Sequence, residues 1–112
     1  MTLASLGEIP AAITEYQKTI VLDPTGPDAH FNLATLLEES DPLKSQTLYE
    51  KVIQLNPQDA EALFCLGLLL EKKDPVRATG CYQRALQIKP DYLSAQTRLN
   101  QLLDATRNKR PD

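Results

Sequence analysis

The chain has 112 residues, 42% of them apolar and 24% charged, which describes a single globular domain with a modest core. Twelve Lys and Arg against 15 Asp and Glu leave a formal net charge of -3. That balance argues against nucleic acid as a partner, because a binder needs a basic face to neutralise phosphates.

The apolar spacing predicts helices at 9–22, 28–39, 42–55, 60–72, 75–88 and 92–108, and alternation of the strand type is absent. The first helix presents Ile9, Ile13, Tyr16 and Ile20 on one face. In the second, Ala29, Leu33, Leu36 and Leu37 face one way, with Asp28, Asn32, Thr35 and Glu39 opposite. Asp41-Pro42 and Asp74-Pro75 read as helix starts. Aspartate accepts the free amides of a first turn, and proline fits the first helical position, where its missing N–H is no loss. Asn56-Pro57 and Lys89-Pro90 read as stops, since a residue before proline is pushed out of the helical region. Apolar runs such as Ala62 to Leu70 fall well short of the ~20 residues that span a bilayer, so membrane insertion is not expected. Met1–Leu6 lacks the basic start and cleavage site of a signal peptide. Cys65 and Cys81 fit reduced thiols in a cytoplasmic compartment.

A repeat of 33 residues organises the chain. Pro24, Pro57 and Pro90 carry this spacing, as do Tyr16, Tyr49 and Tyr82, and Leu33, Leu66 and Leu99. Further triplets are Ala29, Ala62, Ala95; Leu36, Leu69, Leu102; Leu37, Leu70, Leu103; Leu22, Leu55, Ile88; and Ala12, Ser45, Ala78. Each unit is a pair of helices, and such units bury a continuous core only by stacking.

The pattern resembles the tetratricopeptide repeat family. The third unit reads Leu63, Leu66-Gly67, Leu70, Ala78, Tyr82, Pro90; the second reads His30, Leu33-Ala34, Leu37, Ser45, Tyr49, Pro57; the first keeps Ala12, Tyr16 and Pro24. A period of 33 rather than 34, and the absence of tryptophan, depart from the family pattern. The resemblance implies an all-α, right-handed superhelical solenoid of helix-turn-helix repeats forming one domain over 1–112. Its parts are a partial first repeat at 1–26, repeats at 27–59 and 60–92, a capping helix at 93–108 and a tail at 109–112. The first helix of the first repeat is then reduced to Met1–Leu6. Gly67 and Ala34 are expected where the paired helices approach closely, facing Ala78 and Ser45, while Asn100 marks a helix that no partner follows.

Enzymatic chemistry finds little support. The single histidine, His30, sits at the large-residue position of the repeat and is read as a half-buried packing residue. One histidine cannot furnish a metal cluster. Cys65 is expected on an exposed face, and neither cysteine has an obvious activating neighbour. No glycine-rich phosphate loop occurs, so no catalytic residue, metal or cofactor is expected. In the family, the first helices line a concave groove that binds ligands. Carried over by position, that lining is Asp28, Phe31, Asn32, Thr35 and Glu39, then Glu61, Phe64, Cys65, Leu68 and Lys72, then Thr97, Arg98 and Gln101. It places acidic residues toward one end, Lys72 and Arg98 toward the other, and the two phenylalanines between. The implied function is a protein-interaction module taking a peptide or helix of a partner protein; the alternative is a self-assembling scaffold or part of a larger repeat-containing regulator or enzyme. The strip Ile9, Ile13, Tyr16 and Ile20, lacking its expected partner helix, is read as an edge that packs against a second copy, giving a homo-oligomer, or against upstream sequence.

Overall fold

The computed structural model describes the backbone of residues 3–108 and the side chains of residues 10–105. Every regular element there is a helix: α1 (Leu3–Leu22), α2 (Pro27–Leu37), α3 (Pro42–Leu55), α4 (Ala60–Leu70), α5 (Pro75–Ile88) and α6 (Leu93–Asn108). None of them is long and apolar enough to cross a membrane.

Local chemistry sets the boundaries. Asp41 accepts from the Lys44 amide and Asp74 from the Arg77 amide, each at 3.2 Å, with Pro42 and Pro75 opening the helices. Asp59 caps α4 in the same way through the Ala62 amide at 3.0 Å. Such caps stabilise a helix by about 1 kcal/mol each. Asn56 and Lys89 close α3 and α5 immediately before proline. Helices α2 and α4 end at Leu37 and Leu70, two residues earlier than their apolar spacing suggests. The chain must turn over the next three residues for Asp41 and Asp74 to reach their capping positions, and their amides donate back to Leu37 and Leu70.

The first helix departs further from expectation. Instead of a remnant at Met1–Leu6 and a helix from residue 9, α1 runs unbroken from Leu3, with Pro10 inside it. Proline cannot donate to the carbonyl four residues back, a local cost that usually bends or ends a helix; here the helix continues through it.

The chain divides into two compact units, Met1–Pro57 with α1–α3 and Gln58–Asp112 with α4–α6. In the first, α2 packs on α3 and also on α1. Its core holds Ala29, Leu33, Ala34, Leu37, Tyr49 and Val52, and buried Ser45 donates from Oγ to the Ala34 carbonyl at 2.6 Å. His30 is fully buried rather than half-buried, and its Nδ1–H donates to the Gly26 carbonyl at 2.8 Å. In the second unit, α5 packs on both α4 and α6. Its core holds Leu63, Leu66, Leu70, Ala78, Tyr82, Ala85, Ala95 and Leu99. Burying each leucine contributes about 1.5–3 kcal/mol. Where Gly67 was expected to face Ala78, the nearest group is the Tyr82 ring: a Cβ there would stand 2.6 Å from it. Register and burial agree closely, with Leu33, Leu66 and Leu99 at 2%, 4% and 7% exposure.

Candidate functional site

In the first unit, Asp28, Asn32, Thr35 and Glu39 are exposed and Phe31 is half-buried. The Phe31 ring meets Tyr49 edge-on, centroids 5.5 Å apart, a favourable contact for aromatic quadrupoles. The Tyr49 hydroxyl donates to Glu38 at 2.8 Å and lies 3.0 Å from Thr35 Oγ1. Thr35 in turn donates to the Phe31 carbonyl at 3.0 Å. Phe31 is therefore fixed from below while part of its surface stays open.

The second unit repeats this with a further partner. Phe64 lies between Tyr82 and Tyr92, at centroid separations of 5.7 and 5.2 Å, and Lys89 Nζ stands 5.1 Å over the Tyr92 ring. The Tyr82 hydroxyl donates to Glu71, and Arg98 donates to both oxygens of the same carboxylate, with Nε at 2.8 Å and Nη2 on the second. Burial raises the Glu71 pKa, but hydrogen bonds from Arg98 and Tyr82 and the guanidinium charge outweigh it, so the carboxyl ionises below its ordinary value. Burial and the adjacent carboxylate push the Tyr82 hydroxyl well above the usual range. Arg98 is raised in turn by its bond to Glu71.

Beside this cluster, Phe64, Leu93, Ser94, Thr97 and Arg98 line an open hollow of about 440 Å³ between α4 and α6. Leu93 is 77% exposed, and Leu68 on α4 is 41% exposed. Of the expected lining, Phe64, Thr97 and Arg98 share this hollow. Cys65 is half-buried rather than exposed, and Cys81 is buried. Glu61, Lys72 and Gln101 are exposed. Arg98, expected as a cation of the basic end, has its charge committed to Glu71.

Sequence reasoning missed Glu71, Tyr92, Leu93 and Ser94. Glu71 was recoverable, because Glu38 and Glu71 obey the 33-residue spacing and each precedes its tyrosine by 11. Tyr92 carried no such signal, as its counterparts one and two repeats earlier are Asp59 and Gly26.

At the proposed edge of α1, Ile13, Tyr16 and Ile20 are half-buried; the Ile9 side chain lies outside the described residues. Among the described residues, the most exposed apolar groups of α1 are instead Val21 and Leu22, at 81% and 86%. They line an open hollow of about 460 Å³ with Thr14, Gln17 and Lys18.

Paired helices repeating at 33 residues, with a small residue against a buried tyrosine, define a helical-hairpin repeat protein. The chain belongs to the tetratricopeptide repeat family: one TPR repeat model matches residues 2–40 and a tetratricopeptide repeat model matches residues 48–76. Among solved structures, MamA superposes with a TM-score of 0.82 at 23% identity, over 95% of this chain and 66% of that one. The first TPR of Spaghetti (RPAP3), bound to the HSP90 peptide SRMEEVD, gives 0.81 at 21% identity, over 91% and 82%. YrrB, described as a TPR protein with an unusual peptide-binding site, gives 0.74 at 21% identity over 86% of this chain and 50% of that one. The chain thus spans just under two thirds of MamA and half of YrrB. No curated protein sequence matches it significantly.

Proposed function

We propose that the chain is a protein-interaction module and that the hollow between α4 and α6 receives an apolar side chain of a partner peptide. The observation that carries this reading is the partly exposed Phe64, held by two tyrosines beneath a hollow with exposed Leu93 at its wall. A rigid, half-open aromatic beside exposed leucines loses little side-chain entropy on contact, which is how an anchor pocket gains affinity. Two of the structural relatives are described by their peptides or peptide site, which supports the same class of ligand. In the first unit Phe31, with exposed Asn32 and Thr35, offers a second and more polar face of the same kind.

Capture of partners from a peptide library, followed by calorimetry, tests the reading. Phe64→Ala is expected to weaken binding by about 1–3 kcal/mol. Because Phe64 also packs on Tyr82 and Tyr92, Leu93→Glu serves as a second variant, since Leu93 is exposed and its replacement should leave the melting temperature unchanged. Unchanged affinity in both variants sinks the proposal.

A second reading is self-association through α1. It rests on Val21 and Leu22, whose exposure exceeds that of the strip Ile13, Tyr16 and Ile20. Sedimentation equilibrium should then show a concentration-dependent dimer that Leu22→Glu dissolves; a monomer throughout the range rejects it.

A further inference from the structure

Resting on the peptide-binding reading of the α4–α6 hollow, we propose that this site selects a segment bearing Lys or Arg one or two residues from its apolar anchor. The charges around the hollow fix the sign. Arg98, the cation on its wall, is held by both oxygens of Glu71, so the pair presents little net charge to an incoming ligand. Lys89 stands over the Tyr92 ring, its charge turned toward the aromatic face. On the other side, Asp59 and Glu61 precede Phe64 at the start of α4. Asp59 is engaged with the Ala62 amide, while Glu61 is exposed. Both carboxylates act on Tyr92, whose ring packs against Phe64: burial first, then the Cys65 sulfur, Glu61 and Asp59, hold its hydroxyl up at about 12.

Distance sets the position of the cation. Glu61 lies one helical turn before Phe64, roughly 4.5 Å along the axis. An extended peptide advances about 3.3 Å per residue, so a cation one or two residues from a side chain seated on Phe64 reaches the carboxylate. Lys72 lies past the end of α4 at Leu70, which is itself about 9 Å along the axis from Phe64, and does not offset this.

The test is calorimetry at low salt with two synthetic peptides that share one leucine anchor, one flanked by lysines and one by glutamates. The lysine peptide is expected to bind at least about threefold more tightly, with the advantage shrinking as salt rises. Glu61→Lys, at an exposed position, should abolish or reverse the preference without moving the melting temperature. Equal affinities, or a preference for glutamate, overturn this inference while leaving the hollow as a binding site. Binding of neither peptide overturns the reading beneath it. A dimer that Leu93→Glu dissolves overturns both, since the occupant is then a second copy of the chain.

Discussion

The two units use one polar device in two degrees of completion. In each, a buried tyrosine reaches a glutamate 11 residues upstream, at the turn between paired helices. In the first unit the device stops there: Tyr49 donates to Glu38, with Thr35 alongside, and among the described residues no cation pairs with Glu38. In the second, Arg98 from a third helix closes on the same carboxylate. Arg98 has no cationic counterpart one repeat earlier, where the residue is Cys65. The first unit places one leading helix, α2, between two trailing helices, and the second places one trailing helix, α5, between two leading ones. Only the second thus contains a leading helix downstream of its glutamate. An ion pair added to a tyrosine–carboxylate bond turns a link between two helices into one among three.

The largest way to break this parallel is at the small residue. Gly67→Ala would press a Cβ into the Tyr82 ring at 2.6 Å, and that ring is tethered through its hydroxyl. Overpacking of this kind costs about 1–3 kcal/mol, offset by the ~1 kcal/mol that alanine gains over glycine in a helix. A net loss of about 1 kcal/mol is expected in the urea unfolding midpoint. Ala34→Gly, at the same register position in the first unit, should cost about 0.5–1 kcal/mol through helix propensity and about 0.8 kcal/mol more for the buried methyl it removes. A gain in stability from Gly67→Ala would show that the ring moves freely.

Arg98→Ala sharpens the comparison by converting the second unit into the first. The guanidinium side chain is 40% exposed and Glu71 only 14%, so solvent screens part of the interaction and the expected loss is about 1 kcal/mol. The effect depends on pH in a defined direction. Glu71 ionises below its ordinary 4.5 in the folded chain, so its contribution is complete above that value and is lost as pH falls through the folded pKa. Thermal melts of wild type and Arg98→Ala should therefore differ at neutral pH and converge in acid. A constant difference down to strong acid contradicts the pairing.

The smallest effect is spectroscopic. In an alkaline titration followed by ultraviolet absorbance, Tyr92 should ionise at about 12 and Tyr82 later still. These raised values favour the folded chain below the ordinary tyrosine pKa of 10, and that stabilisation is lost as pH rises from 10 through the folded values. Tyr82→Phe should remove the latest step; if it persists, the assignment is wrong.

Sequence revealed the architecture because a stacked repeat writes its core in fixed register. The triplets Ala29, Ala62, Ala95 and Leu33, Leu66, Leu99 are all buried, and the Asp-Pro pairs cap the helices they precede. The start of α1 was not legible, since its apolar spacing begins at residue 9 although the helix runs from Leu3 through Pro10. The candidate site was legible in its aromatic, Phe64, but not in its charges. Arg98 looks like a rim cation on a helical wheel, because nothing in the spacing shows that Glu71, 27 residues away, holds it. Tyr92 and Leu93 sit where earlier repeats have Asp59 and Ala60, so the repeat itself hid them.

The two links to Glu71 also differ in when they can form. Tyr82 closes a span of 11 residues and Arg98 one of 27, a difference of about 0.8 kcal/mol in chain entropy. The tyrosine link belongs to the local helical hairpin and is expected to form by the rate-limiting barrier, and the arginine link only once α6 docks. Removing Arg98 should then speed unfolding while leaving the refolding rate nearly unchanged, the signature of an interaction completed after the transition state. On that account Arg98 acts as a latch: it sets how long the last helix stays in place, while the hairpin beneath sets how quickly the fold is found.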